Sequence, residues 1–511
     1  MLLDLDHLDS APPHTKVCIL GAGIAGLILA RDLANRGIDV TLLEAGGLTL
    51  EPRSQSLYNA DFPATPHTGT TDGRFRTLGG SSTRWGGQLL PYTDDIFSPP
   101  ASAPSAPWPI TAATIEPHYT AVQQILGVDN LPFTSALLPA LKQPPIPLAP
   151  DLTLRFSKWA PFSKRNLANT IGKEVIAHPR IRLYLHANAA SLNLNGAHSA
   201  ITSITALNYA QRSFTFTADQ FILATGTIES SRLILASALP NPHDQAGRYF
   251  HDHLSTAAAE ITGNARTQIL TRLGPFFNAG TLHTCKLEAA PELRARENLL
   301  TTMAHITIAE PEDSGAAALR ALLQSLQRGN LREALTRNLT QAIAGTADIA
   351  RLLYAARVHH RRAVSPRARV HLHIDLEQSP NPANRISLSQ TRDALNQPIA
   401  AVDWRINPAE HDTITRFAPI VRRTLLSAHF PALTWLPPQP LTDTFHPMGG
   451  LRMGTDPAHS VVDENLKHHQ LANLHIASCA TFPSGGSSNP TFTLMALCLR
   501  LTAHLASSQE L

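Results

Sequence analysis

Four apolar residues in a row, Val17-Cys18-Ile19-Leu20, run straight into a glycine cluster, beyond which apolar positions recur at helical spacing before a second apolar run. This pattern predicts a strand over 16–20, a glycine turn over 21–26, a helix over 24–36 and a strand over 38–44, together one βαβ unit. Residues 51–109 are rich in Gly, Pro, Ser and Thr without a long periodic element, as expected of loops draped over a ligand. Further on, the periodicity predicts helices over 112–126 and 166–177, strands near 180–185, 211–217 and 220–224, and a helix from 226 through 235.

From about 250 to 440 the character changes, with strand-like segments around a helical block at 316–362. Segments 369–378 and 399–406 read as strands of one antiparallel sheet, with the Pro- and Asn-rich loop 379–385 between them. After residue 443 the chain is Gly-rich again, then strand-like at 474–477 and helical over 491–506, which reads as a return to the first domain. The expected fold class is α/β: a Rossmann-like cofactor-binding domain from 1–250 and 440–511, and an α+β substrate domain, 251–439, built on an antiparallel sheet.

Composition narrows the picture. At 511 residues with 43% hydrophobic and 16% charged residues, the chain buries a large core. Lys plus Arg number 42 against 39 Asp plus Glu, a net charge of +3, so no global field points to nucleic acid. The four cysteines, Cys18, Cys285, Cys479 and Cys498, are scattered without metal-ligand spacing, so neither a metal site nor a disulfide framework is expected. Residues 1–15 mix Asp4, Asp6 and Asp9 with Leu, and no run reaches 18 apolar residues, so the expectation is a cytoplasmic chain without a transmembrane segment.

Gly21-Ala22-Gly23-Ile24-Ala25-Gly26 follows a strand and opens a helix, the context a dinucleotide fingerprint requires. Gly21 permits the tight turn, Gly23 lets backbone approach a pyrophosphate, and Gly26 allows close packing of helix on strand. Glu44, at the end of the second strand, can accept hydrogen bonds from ribose hydroxyls and would repel a 2′-phosphate. The motif alone leaves NAD and FAD both open.

A second cluster, Arg76-Thr77-Leu78-Gly79-Gly80-Ser81-Ser82-Thr83-Arg84-Trp85-Gly86-Gly87, crowds backbone N–H donors around one point and suits an anionic ligand. Here the sequence resembles the glucose-methanol-choline (GMC) oxidoreductases, whose second motif is a similar Gly-Gly-Ser-Ser run. The resemblance implies FAD, held by Gly79, Gly80, Ser81 and Ser82. Some members carry, where this chain has Arg84, a histidine bonded covalently to the flavin; a guanidinium cannot form that bond, so noncovalent FAD is expected. Arg84 itself either sits near the flavin or points outward.

The C-terminal stretch Phe445-His446-Pro447-Met448-Gly449-Gly450, with Ser488-Asn489-Pro490-Thr491 further on, resembles the signature of the same family closely. Taking a hydride from an alcohol carbon is easier when a near-neutral base removes the hydroxyl proton, and an amide can hold the developing alkoxide. By resemblance His446 is that base and Asn489 its partner. Pro490 and Thr491 open a helix whose free N–H groups favour negative charge on the reduced flavin. Gly226, after an apolar strand, and Ala189 are further candidate cofactor contacts.

The resemblance is nearest to sugar-oxidising members, on Glu377-Gln378-Ser379-Pro380-Asn381-Pro382 and Asp393-Ala394-Leu395. In strand geometry His371, His373, Asp375 and Glu377 share one face, which either lines a cavity for a sugar's hydroxyls or is solvated. The implied activity is oxidation of a secondary hydroxyl of a sugar or sugar-like molecule, with electrons passing to a quinone or protein acceptor. Oxidase activity with O₂ on a non-sugar alcohol, and a non-redox lyase on the same fold, stay open. Block 316–362 holds eight arginines against Glu333 and Asp348. It could meet anionic lipid, an acidic electron-transfer partner or a phosphorylated substrate, or be a solvated helical hairpin.

Overall fold

The computed structural model describes residues 1–9, 11–99, 105–148, 150–328 and 346–507. Its first layer is a six-stranded, all-parallel sheet in the order Leu2–Asp4, Ile181–Leu185, Val40–Leu43, Thr15–Leu20, Ala218–Leu223, Leu474–Ile476. The central strands are buried on both faces, which is why they read as unbroken apolar runs rather than alternating ones. Helix Ile24–Asn35 covers one side, and the apolar C-terminal helix Thr491–Ser507 packs against it and against Ala112–Leu126, which ends at Gly127 in the left-handed region. Expected helix 166–177 is a 3-10 turn, Leu167–Asn169, followed by helix Ile171–Ala177, and the strand expected at 211–217 is the shorter Ser213–Phe216.

The second layer is a nine-stranded antiparallel sheet running Thr434–Trp435, His253–Glu260, Arg369–Glu377, Thr302–Ala309, Thr281–Ala289, Leu152–Trp159, Gln88–Leu89, with Phe276–Asn278 and Thr442–Asp443 paired at its sides. It draws Leu152–Trp159 and Gln88–Leu89 from the segment 1–250 that the sequence reading assigned to cofactor binding. Period-two alternation divides its residues cleanly. Leu154, Phe156, Cys285, Leu287, Ala304, Val370, Leu372 and Ile374 pack into one core with helices Gly263–Leu273 and Pro408–Ser427, while Arg155, Lys286, His305, His373 and Asp375 take the opposite face.

One strand assignment is corrected. Segment 399–406 is not in the large sheet; its strand, Pro398–Asp403, pairs antiparallel with Arg385–Arg392 and parallel with Ala60–Asp61 in a separate small sheet. Asp393 N–H bonding to Gln397 O at 2.9 Å and Asn396 at φ +59° close a local hairpin, so the strand takes its neighbour in sequence rather than the strand before the loop. Of the basic block, helices Gly315–Gln327 and Thr346–Val358 lie against each other; residues 329–345 are outside the described residues. Among the described residues no helix is long and apolar enough to cross a membrane.

Candidate active site

The two glycine clusters meet. Gly79 N–H donates to Ala22 O at 2.9 Å, and a Cβ placed on Gly80 would stand 3.0 Å from Gly23 Cα. Gly21, at φ +95°, has room for no Cβ because Ala224 O would lie at 2.7 Å. Between these turns opens a cleft of about 550 Å³, lined by Gly21, Gly23, Glu44, Gly80, Ser81, Arg84, Ala189, Gly226, His446, Asn489, Pro490 and Thr491 among the expected residues. Gly26, Gly79 and Ser82 stand behind its wall. A Cβ on Gly26 would strike Gly21 O at 1.8 Å, while Ser82 Oγ accepts from Leu167 N–H.

Glu44 is 6% exposed, and its two oxygens accept from Ala22 N–H and Gly46 N–H, both at 2.9 Å. Burial pushes its pKa up although these bonds and Arg76 pull it down, so the carboxylate is under-solvated and has acceptor capacity left for hydroxyl donors. A side-chain-free cradle at a helix N-terminus beside such an acid fits the pyrophosphate and ribose of FAD. Tyr58, Phe75, Gln88, Trp159 and Cys479 also line the cleft and were not singled out from sequence, since they lie on elements separated along the chain. Arg84 lines it too, with its guanidinium 4.9 Å from the Phe75 ring centre, and is exposed.

At one end of the cleft Asn489 Nδ2 is 2.9 Å from His446 Nε2. His446 is presented by a turn wrapped around the buried carboxylate of Asp252, which accepts from His446 N–H at 2.8 and 3.0 Å, from His253 N–H at 2.6 Å and from Thr444 Oγ1 at 3.3 Å. Burial pushes Asp252 up, but the hydrogen bond from His67 and the neighbouring imidazoles hold it below the ordinary carboxylate value. Phe445 takes φ +63°, an unfavourable conformation for an aromatic residue that this wrapping imposes. His446 itself is held down to about 4, by burial first and by His253 second, so its ring is neutral at physiological pH.

His253 and Asp252 were missed from the sequence. They reach His446 because residues 248–251 zip antiparallel onto 448–450, with His251 and Met448 exchanging bonds of 3.0 and 2.8 Å and Gly450 N–H reaching Arg248 O at 3.0 Å. The run His251-Asp252-His253 was the available signal. The polar row of the large sheet is graded: His371, His373 and Asp375 are half-buried and only Glu377 is buried, and none of the four lines the cleft; Asp375 accepts from Ser255 Oγ at 2.6 Å and lies 2.7 Å from His305 Nε2, and the Asp375 and Lys286 charges both act on His446. Glu377, 1% exposed, faces the loop that carries Asn489.

Family models match both ends of the chain that build this cleft. A family model described as GMC oxidoreductase matches residues 380–498, the span that holds His446 and Asn489, and one described as FAD dependent oxidoreductase matches 16–58. The chain is an FAD-dependent oxidoreductase whose C-terminal part is similar to the GMC oxidoreductases. Its relatives include the fructose dehydrogenase large subunit of Gluconobacter japonicus, 23% identical over 95% of this chain and 96% of its own, and the 6'''-hydroxyparomomycin C oxidase of Streptomyces lividus, 22% identical over 98% and 94%. Among solved structures, the chain shares its fold with pyridoxine 4-oxidase from Mesorbium loti, with a TM-score of 0.55 and 16% identity, covering 96% of this chain and 99% of that one. Formate oxidase gives a TM-score of 0.56 at 15% identity, covering 97% and 98%.

Proposed function

We propose that this oxidoreductase oxidises a secondary hydroxyl of a sugar or sugar-like molecule to a ketone, as a dehydrogenase that passes electrons to a quinone or protein acceptor. The observation that carries the reading is the convergence of His446 Nε2 and Asn489 Nδ2, 2.9 Å apart, on the wall of the cleft that the glycine cradle opens. Gly21, Gly23, Gly80, Ser81 and Glu44 would hold FAD noncovalently, and the flavin would supply the hydride acceptor. The substrate hydroxyl lies against His446, whose neutral ring takes its proton, while the Asn489 amide donates to the oxygen as negative charge develops there.

Ser255, His305, His373, Asp375 and Lys286 share one face of the sheet, and the Asp375 and Lys286 charges reach His446, so donors and acceptors suited to a molecule with several hydroxyls stand near that end of the cleft. Fructose and aminoglycosides, named for the relatives, are of that kind. The test is anaerobic bleaching of the oxidised flavin absorbance by D-fructose, D-glucose, D-sorbitol, myo-inositol and simple primary alcohols, then reoxidation by O₂ or a quinone. Bleaching by a polyol with fast quinone and slow O₂ reoxidation is expected. Bleaching by simple alcohols alone would overturn the substrate class, and fast O₂ reoxidation would make the enzyme an oxidase.

A further inference from the structure

Two imidazoles face each other at the catalytic end of the cleft, nitrogen to nitrogen: His253 Nδ1 is 3.0 Å from His446 Nδ1. We infer that His253 is a positioning residue that fixes the tautomer of His446, leaving the lone pair that receives the substrate proton on Nε2. This rests on the reading of His446 as the base.

The argument is one of hydrogen counting. A neutral imidazole has one N–H and one lone pair, and a carbonyl oxygen only accepts. His253 Nε2 lies 3.0 Å from Gly485 O, so that nitrogen carries the hydrogen of His253 and its Nδ1 is bare. A bare Nδ1 facing His446 Nδ1 requires the hydrogen of His446 to sit on its own Nδ1. Thr444 Oγ1, 2.9 Å from the same nitrogen, is free to accept as well, because its hydrogen has Asp252 Oδ1 at 3.3 Å and His253 O at 3.4 Å as acceptors.

The remaining nitrogen of His446, Nε2, is then a lone pair turned to the amide of Asn489 and to the cleft. The opposite tautomer would set lone pair against lone pair at Nδ1 and N–H against N–H at Nε2. The His253 side of the relay is fixed, since that residue is 3% exposed, its Nε2 rests on the Gly485 carbonyl and its backbone N–H is taken by Asp252. The charged or titratable groups near the pair include Asp252, which accepts from both backbone N–H groups, His67 on the other side of Asp252, His251 two residues earlier, and Asp375 and Lys286 on the sheet.

The relay separates setting up the base from binding the substrate, and that separation is measurable. His253→Leu removes the acceptor, whereas His253→Asn can restore one, its Oδ1 replacing Nδ1. General-base catalysis supplies roughly 10²- to 10⁴-fold; in stopped-flow flavin reduction by the best polyol of the panel above, His253→Leu is expected to lose at least about tenfold in rate constant with substrate Kd and FAD content unchanged. His253→Asn should recover most of it. Wild-type rates in His253→Leu, with collapse in His446→Ala, would overturn the inference alone; wild-type rates in His446→Ala would overturn the reading of His446 as base and the inference with it. Should His253→Leu fail to retain FAD, ¹⁵N spectra of histidine-labelled holoenzyme decide, with the His446 ring identified by its loss in His446→Asn. An Nδ1–H tautomer supports the relay, and an Nε2–H tautomer overturns it.

Discussion

Glu377 and Gly486 are joined by a 3.1 Å hydrogen bond from the glycine N–H to the carboxylate Oε2, and it ties the loop carrying Asn489 to the large antiparallel sheet. The other oxygen accepts from Thr301 N–H at 3.1 Å and Thr301 Oγ1 at 2.9 Å, and Ser105 bonds there too. In Glu377→Gln an amide N–H must face one of these donors. The variant is expected to lose about 1–3 kcal/mol of stability and, with Asn489 less firmly placed, some flavin-reduction rate. Thermal unfolding followed by flavin fluorescence checks it; an unchanged melting temperature would remove Glu377 from this role.

The glycine cradle makes a graded prediction. Gly26→Ala drives its Cβ into Gly21 O, a backbone atom that cannot step aside, and should abolish FAD retention. Gly80→Ala adds a Cβ 3.0 Å from Gly23 Cα at φ +52° and should weaken FAD binding by about tenfold or more. Gly196→Ala meets nothing within 4 Å and serves as the control. FAD content after gel filtration orders the three, and retention by Gly26→Ala would refute the tight turn.

Four histidines set a pH window for stability. His251, His373, His446 and His468 are each held down to about 4, with burial the leading cause. In the unfolded chain a histidine titrates near 6.5. Between those values the unfolded state binds more protons, so stability falls as pH drops from about 6.5 toward 4 and is flat with respect to these groups above that window. The melting temperature should follow that course, and His468→Gln, away from the cleft, should make it shallower while the other three histidines keep it. A melting temperature constant from pH 7 to 4.5 would contradict the burial of these rings.

Asn489→Asp exchanges the amide facing His446 Nε2 for a carboxylate. An anion 2.9 Å away favours the imidazolium, so the His446 pKa rises from about 4 and the base is filled with a proton at higher pH. Flavin reduction near neutral pH should fall by about 10²-fold, with the acid limb of its pH profile moved upward. An unmoved limb would show that the two side chains do not share this contact in solution.

The Gly21-Gly26 turn and Glu44 were legible because both belong to one short strand-helix-strand unit. His446 and Asn489 were legible because both belong to one C-terminal signature. His253 was not, because it meets His446 only through the pairing of 248–251 with 448–450, which no local pattern encodes. The strand at 398–403 was found but given the wrong sheet, since alternation fixes a strand's faces and not its partner. Helix Pro408–Ser427 went unread although Asn407 and Glu410 form a capping box at its start, with Glu410 fully buried. How deeply each residue of the polar row is buried depended on what packs over that face of the sheet, a tertiary fact.

Leu474–Ile476 completes the parallel sheet by pairing with the far earlier Ala218–Leu223. A ribosome delivers a chain N-terminus first, at roughly 5–20 residues per second, so the growing polypeptide holds the glycine cradle long before it holds this edge strand, His446 or Asn489. Until those last residues emerge, the nascent sheet exposes an unpaired strand edge, and any flavin captured early sits beside a half-built reaction chamber. A chain cut before residue 474 would therefore keep the glycine cradle while lacking both the edge strand and Asn489.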